Sequence, residues 1–315
     1  MNNEEIIKSH NLTKQFRIRG NKKLLTGLFN PQWIDKEVVS KVNFSVRRGE
    51  SVAFLGPNGA GKTTTTKMLT GLIYPTSGRL EVLGYKPFDR DYDFLKRIGL
   101  VMGNKSGLNW DLTATQSYRL IKKIYEISDE DFDQRINELV NILQVGPVLD
   151  RQVRRLSLGE RMKLELIGAI LHDPEILFLD EPTIGLDIAS KKSVREFLRI
   201  LQDKGKTLLL TSHDMDDIVE VCQRVLVINN GKIIYDDSMQ SLNHQYSHTR
   251  YARLEFLDSV PTEEFASEYG EVVSLKGNVL IIGVDKSDVM SSASKIAEKY
   301  PVQDVTIEQV PLEVI

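Results

Sequence analysis

The 315-residue sequence has few of the features that mark several large classes of protein. It has one cysteine, Cys222, so it cannot form an intramolecular disulfide or a metal site of several thiolates. No stretch approaches the roughly 18 apolar residues that a membrane-spanning helix needs, the best candidates being runs such as Val279 to Val284. Residues 1–5 lack the basic and then apolar stretches of a secretory signal. We therefore expect a protein of a reducing compartment that reaches a membrane only through a partner.

An excess of charge of one sign is also missing. The 41 basic and 44 acidic side chains give a formal net charge of −3, which provides no bulk electrostatic reason to expect a nucleic-acid partner. The composition, with 41% hydrophobic and 27% charged residues, is that of a globular protein with a sizeable core. At about 100 to 200 residues per domain, the length predicts two domains, or one large domain with an appendage.

Strand and helix patterns divide the sequence into regions. Turn residues mixed with an apolar cluster indicate an inserted loop at about residues 19–36. Helical spacing characterises residues 95–155, and strands then alternate with helices in the pattern of a parallel α/β sheet. A polar stretch precedes a small ββαβ unit. The sequence therefore predicts one domain over residues 1–240 and an accessory domain over residues 245–315.

The strongest motif is a glycine-rich loop between an apolar strand, Ser51 to Leu55, and a helix that starts near Thr63. It fits G-x-x-x-x-G-K-[ST] at every fixed position. Glycines let the backbone wrap around phosphate oxygens, while Lys62 supplies charge to the β- and γ-phosphates and the Thr63 hydroxyl is suited to Mg²⁺. The predicted nucleotide-binding residues of this loop are Gly56, Pro57, Asn58, Gly59, Ala60, Gly61, Lys62, Thr63 and Thr64.

A second apolar strand, Ile176 to Leu179, ends in two carboxylates. The carboxyl end of a parallel sheet is also where the phosphate loop lies, so Asp180 is suited to hold Mg²⁺ there. Glu181, the next residue, is suited to polarise the attacking water as a general base. Together the two motifs predict a nucleoside triphosphatase.

The sequence around these motifs resembles the ATPases of ABC transporters. Leu156-Ser157-Leu158-Gly159-Glu160 is similar to their signature motif, and Pro182, Gly185-Leu186-Asp187 and Thr211-Ser212-His213-Asp214 resemble their later motifs. The resemblance covers about residues 5–240. It implies an α/β fold of the P-loop NTPase class and ABC type, with a mixed sheet core, an antiparallel β subdomain and a helical subdomain, followed here by a small C-terminal α+β domain.

Members of that family enclose two ATP molecules between two cassettes. The resemblance therefore implies a second ATPase subunit, most simply an identical chain, and assigns Ser157 and Gly159 to the γ-phosphate bound in trans. Ser157 is also a good N-cap, and the helix after it points its positive end at the anion. The motif departs from the family pattern at Leu158 and Glu160, and we expect these two changes to tune the interface.

The resemblance also assigns roles outside the phosphate loop. It makes His213 the switch histidine that contacts the γ-phosphate and orients water, Asp187 an interface residue that links the two sites, and Phe16 the aromatic side chain that stacks on adenine. The implied ligands are ATP and Mg²⁺. The implied catalytic residues are Lys62, Glu181 and His213.

Residue 104 is the most informative departure from the family pattern. The family usually has a glutamine there, which senses Mg²⁺ and the attacking water while its loop contacts the membrane partner. Asn104 is one methylene shorter and reaches less far, so either the loop moves closer or a water bridges the gap. Our hypothesis is that Asn104 keeps the coupling role with a weaker metal contact.

The function that the resemblance implies is ATP-driven dimer closure that powers a separate multi-span permease from the cytoplasmic face of the cell membrane. The runs Thr64-Thr65-Thr66 and Trp110-Asp111-Leu112-Thr113 most resemble multidrug-type or ABC-2-type exporters. An importer ATPase is an alternative, because some carry a small regulatory C-terminal domain. A soluble ABC ATPase acting on ribosomes or DNA is a second alternative, which a single cassette without sustained heptads disfavours.

Overall fold

The computed structural model describes residues 4–19, 33–103, 105–212, 214–245, 249–257 and 260–308. The chain divides into two compact units, Met1–Asp236 and Asp237–Ile315. Two predicted site residues, Asn104 and His213, and residues 20–32 of the predicted loop lie outside the described residues.

The first unit begins with three strands, has three successive helices in its middle, ends with two strands, and otherwise alternates strands with helices. In chain order they are β1 (Glu5–Arg19), β2 (Trp33–Arg47), β3 (Ser51–Leu55), α1 (Lys62–Leu69), β4 (Ser77–Val82), α2 (Tyr92–Lys96), β5 (Ile98–Met102), α3 (Ala114–Ile124), α4 (Asp129–Leu143), α5 (Leu158–Ile170), β6 (Ile176–Asp180), α6 (Ile188–Asp203), β7 (Thr207–Thr211), α7 (Met215–Val221), β8 (Arg224–Asn229) and β9 (Lys232–Ser238).

The central sheet of the first unit has six strands in the order β5-β6-β7-β3-β8-β9. The strands from β5 to β8 pair in parallel, and every residue of β3, β6 and β7 is buried, as expected for strands covered on both faces. The predicted Asn230-Gly231 turn joins β8 to β9, and both of its residues have positive φ. The parallel strands bring their carboxyl ends to one edge of the sheet, and the α/β fold class is confirmed.

A second sheet, antiparallel and in the order β2-β1-β4, packs on the same core. Phe44 of β2 meets Phe54 of β3 edge to face, with their ring centroids 5.3 Å apart. β1 and β2 pair along their whole length, from Glu5 opposite Arg47 to Arg19 opposite Trp33. The predicted loop is therefore wrong at residues 33–36, because their backbone groups pair with β1 and continue its ladder.

The helical region contains one strand that the sequence analysis assigned to helix. Ile98–Met102 forms β5 beside β6, and a Cβ on Gly99 would lie 2.4 Å from the carbonyl oxygen of Ala169 in α5. A short, continuous apolar run reads alike as a buried strand or a buried helix, which is why periodicity misassigned it. The remaining helices begin at well-formed caps, with a capping box at Thr113 before α3 and a serine cap at Ser128 before α4.

The second unit has its own sheet and core. After α8 (Met239–Gln245), its elements are β10 (Thr249–Phe256), α9 (Glu263–Ser267), β11 (Glu271–Lys276), β12 (Val279–Asp285), α10 (Val289–Lys299) and β13 (Val302–Glu308). The four strands are antiparallel in the order β11-β12-β10-β13, and their core includes Leu254, Phe256, Ile282 and Ile296. The predicted ββαβ order omits one strand and the short helix α9. The five residues of α9 are too few to show a helical period.

In the part of the chain that the structure describes, no helix combines the length and the apolar character needed to cross a membrane. The longest one, α6, has 16 residues.

Candidate functional site

The glycine-rich loop connects β3 to α1 and forms a backbone cradle. Gly56, Gly59 and Gly61 have φ values of 151°, 82° and 112°, in the region that favours glycine. A Cβ on Gly56 would lie 2.1 Å from a carbonyl oxygen of β8, and one on Gly61 would lie 2.8 Å from the Val38 oxygen. Because Gly61 has no side chain to cap α1, the first N–H groups of that helix face the cradle. The loop is therefore built to hold an anion.

Lys62 carries a cation into this cradle. The residue is only 5% exposed, and its Nζ donates to the carbonyl oxygens of Gly56 at 2.5 Å and Pro57 at 3.3 Å. Burial lowers the pKa of Lys62, while the carboxylates of Glu181, 3.9 Å from Nζ, and Asp180 act in the opposite direction. The ammonium is thus held where it can pair with phosphate oxygens.

The other predicted residues of the loop differ in exposure. Pro57, Asn58 and Gly59 are exposed at its tip and Ala60 is buried, while Thr63 and Thr64 in the first turn of α1 are half-buried. The loop therefore offers backbone at its tip and hydroxyl groups at its base.

A hydroxyl and a buried carboxylate meet at the base of the cradle. The Thr63 hydroxyl donates to Oδ1 of Asp180 at 2.9 Å, although the two residues are 117 positions apart. Asp180 is 3% exposed, and the Thr211 hydroxyl donates to the same Oδ1 at 2.7 Å. Among the described residues no group of three His, Cys, Asp or Glu side chains could hold a metal. Two hard oxygen ligands fit Mg²⁺, which usually shares its shell with water and substrate phosphates.

Glu181 occupies a strained backbone position beside Asp180. Its φ of 55° is in the left-handed region, where a side chain is unfavourable, and such strain is typical of functional positions. Its N–H donates to the carbonyl oxygen and the hydroxyl of Thr211, at 3.0 and 3.1 Å. A Cβ on Gly103 would lie 2.1 Å from the Glu181 carbonyl oxygen, so the loop after β5 passes directly against this residue.

Ser157 caps α5 and forms a capping box with Glu160. The Ser157 Oγ accepts from the Glu160 N–H at 3.2 Å, and Oε2 of Glu160 accepts from the Ser157 N–H at 2.8 Å. The second of these bonds lowers the pKa of Glu160. Glu160, one of the two departures from the family motif, therefore fixes the start of the helix.

The start of α6 packs against this cap. A Cβ on Gly159 would lie 2.2 Å from the Ser190 Oγ. Asp187 caps α6, since its carboxylate accepts from the Ser190 N–H at 2.9 Å and the Ser190 hydroxyl at 2.7 Å, and the hydroxyl bond is the main reason its pKa is lowered. Three exposed apolar side chains lie on these two helix starts and the turn before α6, and we call them the signature patch: Leu158, Ile184 and Ile188, which are 36%, 42% and 88% exposed.

A buried carboxylate that the sequence analysis missed connects two motifs. Asp217 of α7 is 1% exposed and accepts from the hydroxyls of Thr183 and Ser212 and from Nε of Arg195 at 2.6 Å. Thr183 lies two residues after Glu181, and Ser212 lies just before position 213. Asp217 therefore holds together the segment that follows Glu181 and the segment that precedes position 213. Its only sequence signal was its closeness to the predicted switch histidine.

Phe16 lies on β1, 38% exposed, opposite Lys36 of β2. Nζ of Lys14 lies 5.0 Å from the centroid of its ring. Val38, two residues after Lys36, contacts Gly61, so the strand pair runs beside the phosphate cradle. This position fits a ring that stacks on a base beyond the phosphates.

The predicted site residues thus fall into two groups. The structure brings Lys62, Thr63, Asp180 and Glu181 together at the carboxyl edge of the sheet. It brings Ser157, Gly159 and Asp187 together at the starts of α5 and α6. Asn104 and His213 lie outside the described residues, and their roles stay predictions.

Comparisons with known proteins agree with this geometry. A family model described as "ABC transporter" matches residues 39–184, and one described as "EvrA-like ABC transporter, C-terminal domain" matches residues 248–308. The chain is similar to the ABC transporter ATP-binding protein NatA of Bacillus subtilis, with 34% identity over 65% of this chain and 84% of that protein. It is also similar to the Nod factor export ATP-binding protein I of Neorhizobium galegae, with 36% identity over 66% of this chain and 60% of that one.

A solved structure, that of an ATP-binding subunit of an ABC transporter, has the same fold. It superposes with a TM-score of 0.64 at 24% sequence identity, over 77% of this chain and 93% of the other.

Proposed function

This chain belongs to the family of ABC transporter ATP-binding proteins, and on that premise we propose how its two groups of site residues work together. The chain is an ATPase that serves a transporter. The observation that carries our proposal is the contact of Thr63 with Asp180 beside Lys62 and Glu181, because it joins a phosphate cradle to a candidate base.

In the proposed reaction, the cradle and Lys62 bind the β- and γ-phosphates of ATP. Thr63 and Asp180 would hold Mg²⁺, which neutralises developing charge on the phosphates. Glu181 accepts a proton from the attacking water, and its strained backbone, fixed by Thr211 and Gly103, aims the carboxylate. Asn104 and His213 are proposed to contact the metal and the γ-phosphate, as the family resemblance implies.

We propose that two copies of the chain close around two ATP molecules. Ser157 and Gly159 at the start of α5 would contact the γ-phosphate held by the other copy, where the helix N-terminus favours negative charge. Around that start, the signature patch exposes apolar surface, and Ile188 is 88% exposed. Several exposed apolar side chains beside a polar site favour an interface. Closure would bury the signature patch and complete each site.

The replacement Ile188→Asp tests this interface. We expect the ATP-dependent dimer to weaken on the order of tenfold, because a charge would replace an apolar side chain at the centre of the contact. Size-exclusion chromatography with light scattering, in a Glu181→Gln background that slows turnover, measures the dimer. The matched control is Ile234→Asp, since Ile234 is 51% exposed on β9, away from the signature patch. Equal dimerisation of both variants would contradict the proposed face.

A separate membrane permease is the proposed partner of the dimer. A groove of about 390 Å³ lies between β5 and the helices α3 and α5. Its lining includes the apolar side chains of Leu95, Leu100, Ile121 and Ile124. Gly107 and Leu108 line the groove and belong to the loop after β5. Gly103 at the start of that loop passes against Glu181, so a permease segment in the groove would touch the same loop. The chain would then act at the cytoplasmic face of the membrane through this partner.

The replacement Ile124→Asp tests the groove. We expect it to lower the yield of a co-purifying multi-span membrane protein several-fold and to abolish stimulation of ATPase activity by the native membrane fraction, because a charge would enter an apolar contact. Basal ATPase activity should stay unchanged, since Ile124 lies outside both site groups. Ile234→Asp is again the control. Co-purification of RNA instead of a membrane protein would favour the soluble alternative.

We propose export as the direction of transport. The relative named for Nod factor export supports it, as do the runs at residues 64–66 and 110–113 that resemble exporters. An importer ATPase stays the alternative, because the accessory domain proposed for residues 245–315, which has a small core of its own, fits a regulatory role in either direction.

A further inference from the structure

A buried acid occupies the middle of α5, the helix that Ser157 caps. Glu165 of α5 is 8% exposed and has apolar neighbours along the helix. Within the described ranges, no lysine or arginine forms an ion pair with it. A buried carboxylate is costly unless donors satisfy its oxygens, so the donors that it does bind indicate its role.

Among the described residues, the side-chain oxygens of Glu165 accept from one turn in the loop after β5. The Ser106 hydroxyl donates to Oε1 of Glu165, and the N–H groups of Gly107 and Leu108 donate to Oε2 at 2.9 and 3.2 Å. A Cβ on Gly107 would lie 3.1 Å from Oε2, so glycine allows the carboxylate its close approach. Charge-assisted bonds of this kind are about twice as strong as neutral ones. These bonds fix the turn 106–108 to α5.

The other end of the same loop is fixed to the catalytic strand. The Gly103 N–H donates to the Asp180 carbonyl oxygen at 2.7 Å, and a Cβ there would lie 2.1 Å from the Glu181 carbonyl oxygen. The loop is therefore attached to β6 at residue 103 and to α5 at residues 106–108. Position 104 lies in the sequence between these two attachments.

We propose that Glu165 is a positioning residue for ATP hydrolysis, which ties the loop beside the catalytic carboxylates to the helix that starts at Ser157. The proposal rests on the function proposed above, in which Ser157 contacts the ATP of the second copy. When α5 is pulled toward that ATP, Glu165 carries residues 106–108 with it. Hydrolysis at one site then depends on occupancy of the other through α5, its hydrogen bonds to residues 106–108 and the loop that these residues share with Gly103.

The first experiment replaces Glu165 with glutamine in the full-length chain. Glutamine keeps the shape but removes the charge and leaves one acceptor oxygen, so it cannot accept from both the two backbone N–H groups and the Ser106 hydroxyl. We expect kcat for ATP hydrolysis to fall about tenfold to a hundredfold, while KM and the Kd for ATP stay within about twofold. A variant with unchanged kcat, or one that loses kcat and nucleotide binding together, would overturn the proposal.

A matched control separates positioning from simple stabilisation. Glu175 is a half-buried carboxylate just before β6, at the end of that strand away from Asp180, and it accepts from Arg48 and Arg97. We expect Glu175→Gln to lower the melting temperature without changing kcat. In a double-mutant cycle, Ser106→Ala should cost little more when Glu165 is already glutamine, because both changes remove the same attachment. Additive losses in kcat would contradict the shared attachment.

Hydrogen exchange gives a measurement that does not depend on turnover. The amides of Gly107 and Leu108 should exchange slowly in the wild type and several-fold faster in Glu165→Gln, whereas the amides of β6 should not change. Faster exchange together with no ATP-dependent dimer in Glu181→Gln would refute the proposed function and leave the attachment standing. Unchanged exchange at residues 107–108 would refute the attachment itself.

Discussion

Replacement of Glu181 by glutamine should abolish steady-state ATP hydrolysis and yield a chain that forms a stable dimer on ATP. Glutamine keeps the size of the side chain but cannot accept the proton of the attacking water, and a general base contributes about 10²- to 10⁴-fold to such a rate. Nucleotide should still bind, because Lys62 and the cradle are unchanged. The dimer should persist because its ATP is no longer consumed.

Phosphate release and size-exclusion mass, measured with Mg²⁺ and ATP, check both parts of this prediction. The control is Glu196→Gln, the same change at an exposed position on α6 whose carboxylate pairs with Lys192 on the same helix. Turnover of Glu181→Gln at the wild-type rate would show that another group takes the proton. Loss of nucleotide binding would show that Glu181 supports the fold of the cradle rather than the chemistry.

Replacement of Lys62 by methionine should weaken ATP binding by on the order of a hundredfold, because a phosphate charge would lose its buried partner. The ammonium is 5% exposed and is held by carbonyl oxygens of Gly56 and Pro57, so its position costs little to organise when ATP binds. Methionine retains the aliphatic volume and removes only the charge and its donors.

Equilibrium binding of a fluorescent ATP analogue measures this effect. Lys67→Met is the matched control, since Lys67 lies in the last turn of the same helix, at the end away from the cradle. We expect the control to bind nucleotide within about twofold of the wild type, because Lys67 lies in the last turn of α1 and, in the described part of the chain, makes no contact with the cradle carbonyl oxygens that hold Lys62. Equal losses in the two variants would mean that α1 itself, and not the Lys62 charge, had been damaged.

Local pattern was sufficient to predict much of the fold. The strand Ser51–Leu55, the glycine loop and the helix after it are contiguous in sequence, so their periods and turn residues define them without the rest of the chain. The α/β class followed from alternation of strands and helices and is confirmed. Pattern was insufficient where an element was short, as at β5 and α9, because five residues fit more than one period.

The candidate site, like the fold, has parts that local sequence indicates and parts that it does not. The residue types that bind phosphate were readable because the chemistry of one loop lies within nine positions, and the relation to the ABC family is confirmed by the comparisons. The contact of Thr63 with Asp180 spans 117 positions and that of Glu165 with Gly107 spans 58. No local period encodes such pairs.

Local sequence was enough to predict the candidate chemistry: a glycine loop suited to phosphate, and an apolar strand that ends in two carboxylates at the edge of a sheet. The donors that satisfy the buried acids could be identified only from the packed fold. Asp217 gathers Thr183, Ser212 and Arg195, and Glu165 gathers the turn 106–108. The physical reason is that a buried carboxylate takes its partners from whichever elements pack against it, and packing joins segments that are distant in the chain.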